Sequence, residues 1–177
     1  MLKILDLFTR IKAADPVRSA YEAIVAGARH PRLYAGVGVP DTVDGRFDMI
    51  VLHMILVLDR LKRDDSAHFA QKLIDEMFAD MDRSLREMGV GDLSVGKKVR
   101  KMGEVYYGRV RAYGRALQSG DPRALADALE RNIFPDTAPR EGAVAALAAY
   151  VLRARQRLAQ TSVADICAGH IVFAEAE

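Results

Sequence analysis

The chain of 177 residues is one domain's worth of sequence, long enough for a single core to hold a globular fold without staples. Half of the residues are apolar and 28% are charged, which excludes a disordered chain and a coiled-coil rod. With 26 basic against 24 acidic residues, bulk charge cannot drive binding to nucleic acid or lipid, and the single cysteine, Cys167, excludes an internal disulfide or a cysteine-rich zinc site.

The opening residues, MLKILDLFTRIK, predict a short amphipathic segment over 1–12, with Leu2, Ile4, Leu5 and Phe8 apolar. Asp6 splits its apolar run, so a signal peptide is not expected, and a reducing, cytoplasmic setting is. Asp15-Pro16 reads as an N-cap followed by a first-turn proline, opening a helix over 16–28. The stretch 27–45 then carries two prolines and four glycines and is long for a connector in a helical domain. Segments of that length are more often functional or packed on themselves, so 36–46 is expected to be ordered.

Asp44-Gly45 offers an N-cap and a turn for a helix over 45–62. Phe47, Ile50, Val51, Met54, Val57, Leu58 and Leu61 form one face of it, and Met49, Leu52 and Leu56 lie on the other. A helix apolar nearly all round belongs at the centre of a domain. The alternative is that its second face docks an apolar client, a task suited to flexible thioethers. The apolar run 49–58 is about half of what crossing a bilayer needs. His53 interrupts it without the company of a metal or haem motif, so a hydrogen-bonded core histidine is expected.

The helix predicted over 66–88 buries Ala70, Ile74, Met77, Phe78, Met81, Leu85 and Met88. Asp80 and Asp82 fall on opposite shoulders of that stripe, too divided to share a proton or a metal, and salt bridges to neighbouring helices are their expected use. After Gly89 and Gly91 comes a helix over 95–118. At 100° per residue, Val95, Val99, Met102, Tyr106, Val110, Tyr113 and Leu117 make a narrow stripe. Lys97, Lys98, Arg100, Lys101, Arg109, Arg111 and Arg115 fill the other side, with only Glu104 against them and Tyr107 beside them. Charge runs are usually solvated faces. This one is lopsided enough to set up a local positive potential, suited to anionic lipid, RNA or an acidic partner. Gly103 and Gly114 flank the stripe, where close approach of another backbone is expected.

Asp121-Pro122 opens a helix over 122–132, and Pro139 with Glu141 opens one over 139–160. Strand-length alternation is absent, which predicts an all-α single compact domain of about six helices over 1–177. The sequence carries no phosphate loop, no nucleophile elbow and no metal-ligand spacing. A non-enzyme without cofactor or metal is therefore expected.

Gly38-Val39-Pro40-Asp41-Thr42, followed by Gly45-Arg46-Phe47-Asp48 and the Leu52-His53 helix, resembles the ubiquinol–cytochrome c reductase chaperone family. So do the string from Met77-Phe78-Ala79-Asp80-Met81-Asp82 to Leu85-Arg86-Glu87-Met88-Gly89-Val90-Gly91-Asp92, and Val95-Gly96-Lys97-Lys98-Val99 with Tyr106-Tyr107-Gly108-Arg109. The resemblance runs over 33–117. It implies a non-enzymatic assembly chaperone of the cytochrome bc1 complex, with cytochrome b or another bc1 subunit as partner, peripheral on the inner membrane. Under it, Asp41, Thr42, Arg46, Met49, Leu52, His53 and Leu56 are candidate client-binding residues. Lys97, Lys98, Lys101, Tyr107, Arg109 and Arg115 are candidates for contact with a membrane surface, a ribosome or a partner. The basic helix alone would also serve a nucleic-acid or ribosome-binding module, though nothing points to specific DNA.

Overall fold

The computed structural model describes residues 15–62, 66–135 and 138–176. Eight helices follow in order: α1 (Pro16–Ala28), α2 (Pro31–Ala35), α3 (Val43–Leu61), α4 (Ala67–Glu87), α5 (Asp92–Ser119), α6 (Pro122–Ile133), α7 (Ala143–Gln160) and α8 (Val163–Cys167). Six of them have twelve residues or more and correspond to the six expected after residue 15. The amphipathic segment predicted over 1–12 lies outside the described residues.

Helix α3 is the axis of the domain. It touches α1, α4, α5, α6 and α7, and every residue from Phe47 to Leu58 is buried. A helix apolar on all sides can remove its surface from water only by being surrounded, and five packed neighbours do that. His53 and Asp48 are the polar exceptions, and the ring of His53 is fully satisfied. Its Nδ1 lies 2.8 Å from the Met49 carbonyl oxygen and its Nε2 2.6 Å from the Tyr150 hydroxyl. A carbonyl only accepts, so Nδ1 carries the proton and Nε2 accepts from Tyr150. The Phe173 ring meets the imidazole edge-on at 4.7 Å. That ring also lies where a β-carbon on Gly27 would stand, 2.4 Å away, so the segment after α8 is wedged between α1 and α3.

Several boundaries differ from those expected. The stretch 27–45 contains α2, capped by the His30 ring, whose Nδ1 accepts from the Arg32 amide at 3.3 Å. Thr42 rather than Asp44 caps α3: its Oγ1 accepts from the Gly45 amide at 3.0 Å, and Asp44 sits in the first turn. Helix α5 begins at Asp92, three residues early. Helix α7 begins at Ala143 behind Gly142 (φ 79°), so Pro139 and Glu141 lie ahead of it. Helix α8 is too short to show a period in sequence. Among the described residues no helix is long and apolar enough to cross a membrane.

Candidate functional site

The segment between α2 and α3 is ordered by its own backbone. The Val39 amide donates to the Leu33 carbonyl at 3.0 Å, Val37 and Val39 are buried, and Arg140 donates to the Gly36 carbonyl. The chain then crosses the start of α3 so closely that a β-carbon on Gly45 would stand 2.1 Å from the Pro40 carbonyl oxygen. Only glycine fits there. The crossing brings Asp41 beside Arg46. The guanidinium holds both carboxylate oxygens, Nε to Oδ1 at 2.6 Å and Nη2 to Oδ2 at 3.2 Å. That hydrogen bonding lowers the Asp41 pKa and raises the Arg46 pKa.

Two clefts open on either side of Arg46. One, of about 560 Å³, is lined by Pro31, Tyr34, Val39 and Asp41 with Arg29 and Arg46. The other, of about 340 Å³, lies between the start of α3, the end of α4 and α5. Val43, Phe47, Met81, Leu85, Met88 and Met102 line it, and Arg29, Arg46 and Glu87 stand at its edge. Val43 and Met88 are largely exposed, so the groove presents apolar surface to solvent. Three methionines make it adaptable in shape.

The candidates fall into three groups. Asp41, Thr42 and Arg46 come together at the α3 start. Met49, Leu52, His53 and Leu56 do not join them at the surface: all four are core, so the face weighed as a second docking surface is closed by its neighbours. The exposed apolar groove lies one turn earlier. Sequence reasoning missed it because Met81, Met88 and Met102 each belong to the inward stripe of their own helix. Of the three, Met88 at the end of α4 is the one left largely exposed, while Met81 is buried.

On α5, Lys97, Lys98, Arg100, Lys101, Arg111 and Arg115 are exposed, with Lys101 paired to Glu104 at 3.1 Å. Arg109 departs from the expected face. Its Nε donates to Asp48 at 2.9 Å and its Nη2 to the Asn132 carbonyl at 3.1 Å, tying α5 to α3 and α6. Burial raises the Asp48 pKa, opposed by the Arg109 hydrogen bond. The same carboxylate, after burial, raises the pKa of Tyr113, whose buried hydroxyl has no hydrogen-bond partner among the described residues.

Tyr107 is exposed and borders a second groove of about 240 Å³ with Ile55, Leu58, Ile74 and Val110. No backbone approaches Gly103 or Gly114 of α5: a β-carbon on Gly103 would meet the Phe78 ring at an ordinary 3.9 Å, and one on Gly114 nothing within 4 Å. Asp80 and Asp82 are held largely within α4, by Arg83 and Arg86, with one interhelical bond from the Tyr21 hydroxyl to Asp80 at 2.9 Å. Among the described residues no group of three or more histidines, cysteines or carboxylates is placed to hold a metal ion.

Residues 35–173 match the family described as Ubiquinol-cytochrome C chaperone. The chain is 26% identical over 116 residues to ubiquinol-cytochrome-c reductase complex assembly factor 1 of Xenopus laevis. The match covers 64% of this chain and 58% of that protein, so the chain spans little more than half of that relative's length. The crystal structure of the Cbp3 homolog from Brucella abortus superposes with a TM-score of 0.80 at 45% identity, covering 98% of this chain and 97% of that one.

Proposed function

The chain belongs to the ubiquinol–cytochrome c chaperone family, and from that premise we propose that it is a non-enzymatic assembly chaperone of the cytochrome bc1 complex. Its client in this reading is an apolar segment of cytochrome b, received in the Val43/Met88 groove. The observation that carries it is that groove: exposed apolar surface at Val43 and Met88, lined by three methionines and lying beside the Asp41–Arg46 pair. A membrane-protein segment awaiting assembly needs a surface that takes varied apolar side chains with little directional demand, which thioethers provide. Asp41 and Arg46, locked together beside the groove, offer polar edges that fix how a segment lies. The basic face of α5 turns the domain toward the cytoplasmic side of the membrane or toward a partner.

The test is the pair Val43→Asp and Met88→Asp in one chain. Both side chains are exposed, so the fold should melt as the parent does. In cells lacking the native gene, assembled bc1 complex, read as b-type haem absorbance and as the native-gel band, should fall severalfold. Normal assembly with the double variant present at parental level would remove the groove from the mechanism.

A further inference from the structure

We propose that the outer face of α5, with the turn leading into it, is a peripheral binding surface for anionic bilayers, anchored by Leu93. At 100° per residue, Leu93, Lys97, Arg100, Tyr107, Arg111 and Arg115 fall within about 80° of one another, opposite the buried stripe. Leu93 is 101% exposed, Tyr107 is 59% exposed, and Met88 lies across the turn at 55%. From Leu93 to Arg115 this face extends roughly 33 Å at the helical rise.

A single exposed leucine is ordinary on a protein surface. Leu93 differs in its setting. Asp82 and Asp92, one on either side of the turn, are both engaged by Arg86. Lys97, Lys98 and Arg100 have no ion pair among the described residues, and Glu104 is engaged by Lys101. Glu87, next to the turn, has no ion pair among the described residues. Arg86 offsets one of the two aspartates, and the positive field beside the fully hydrated leucine comes from Lys97, Lys98 and Arg100, which outnumber the remaining carboxylate and Glu87.

Those two features together select the ligand. RNA or an acidic protein would be served by the cations alone. A bilayer takes all three residue classes on the face: leucine below the headgroups, tyrosine at their level, cations at the phosphates. Met88 also lines the client groove, so docking by this face sets the groove's mouth at the bilayer surface. The inference deepens the membrane side of the proposed function and does not depend on the groove's client.

The chain has no tryptophan, so L93W gives a sole reporter. With vesicles of phosphatidylglycerol and phosphatidylcholine its emission should shift to the blue and be quenched by brominated acyl chains. With phosphatidylcholine alone it should do neither. In sedimentation with the anionic vesicles, L93D should bind about tenfold more weakly than the parent, as expected for losing a buried leucine. The charge reversal K97E/R100E/R111E should abolish binding, each variant melting like the parent. If the charge reversal releases the protein while L93D still binds fully and L93W is not quenched, the anchor is overturned and the membrane reading stands. If the parent does not sediment, or neither variant changes its sedimentation, both fail. Binding to single-stranded RNA without binding to vesicles likewise overturns the proposal and turns the face to nucleic acid.

Discussion

His53 shows how one buried residue can set a pH response for the fold. Burial, opposed by the bond to the Met49 carbonyl, pushes its pKa down to about 4, while in the unfolded chain it titrates near 6.5. Between those values the unfolded chain takes up a proton that the folded one refuses. Stability is therefore intact above pH 6.5, declines as pH falls toward 4, and has lost roughly 3 kcal/mol once the pH is below both values. Glutamine at this position can still donate to the Met49 carbonyl and accept from Tyr150, yet it does not titrate. Denaturant unfolding of His53→Gln from pH 7 to 4 should thus show a flatter decline than the parent, whatever its starting stability. Parallel declines would mean that the imidazole is not the group responsible. The residue's lack of metal-motif company was legible in the sequence. Its bond to Tyr150, 97 positions away, was not, because periodicity assigns faces and says nothing of which distant helix meets them.

At the scale of elements, α5 was the most legible helix and also the one that misled. Its apolar stripe is buried at Val95, Tyr106, Tyr113 and Leu117 as the 100° spacing requires. Arg109, however, lies only about 20° from Met102 on the same wheel, on the shoulder of the stripe, and a binary split into two faces hid that. There it meets Asp48 and becomes an internal tie. Boundaries were lost to caps that propensity did not rank: Thr42 took the role expected of Asp44 because the chain crossing at Gly45 turns the Thr42 hydroxyl toward the helix amides. The helix also carries glycines with empty space beside them. A β-carbon on Gly108 would meet nothing within 4 Å, and glycine in a helix interior is worse than alanine by roughly 1 kcal/mol. Gly108→Ala should raise the midpoint of chemical denaturation by an amount equal to about 0.5–1 kcal/mol. A drop instead would mean that the glycine serves bending or a contact with another molecule.

For the whole molecule, the all-α class and the central place of α3 followed from hydropathy alone, since a helix without a polar face has nowhere else to go. The Val43/Met88 groove did not follow, because it is assembled from the start of α3, the end of α4 and one residue of α5. Nor did the path after α8. Ile171 and Ala176 are buried, and Phe173 fills the space left open by Gly27 between α1 and His53. Phe173→Ala would empty that space, and removal of a packed aromatic ring typically costs about 3–5 kcal/mol. Cooperative unfolding of that variant should show a loss near the lower end of this range, since the ring is only partly covered. A loss below about 1 kcal/mol would show that the wedge is dispensable.

The wedge also ties this protein's maturation to the order of its own synthesis. Its earliest described helix and its axial helix leave the ribosome long before residues 171–176 exist. Until those residues emerge, the edge of the His53 ring and the small surface of Gly27 face water. Domains tend to complete as units during translation, and here α1 and α3 await a contact supplied more than 110 residues after α3 ends. A nascent chain arrested before residue 171 should accordingly remain protease-sensitive at α1, and one arrested after residue 176 has cleared the exit should not.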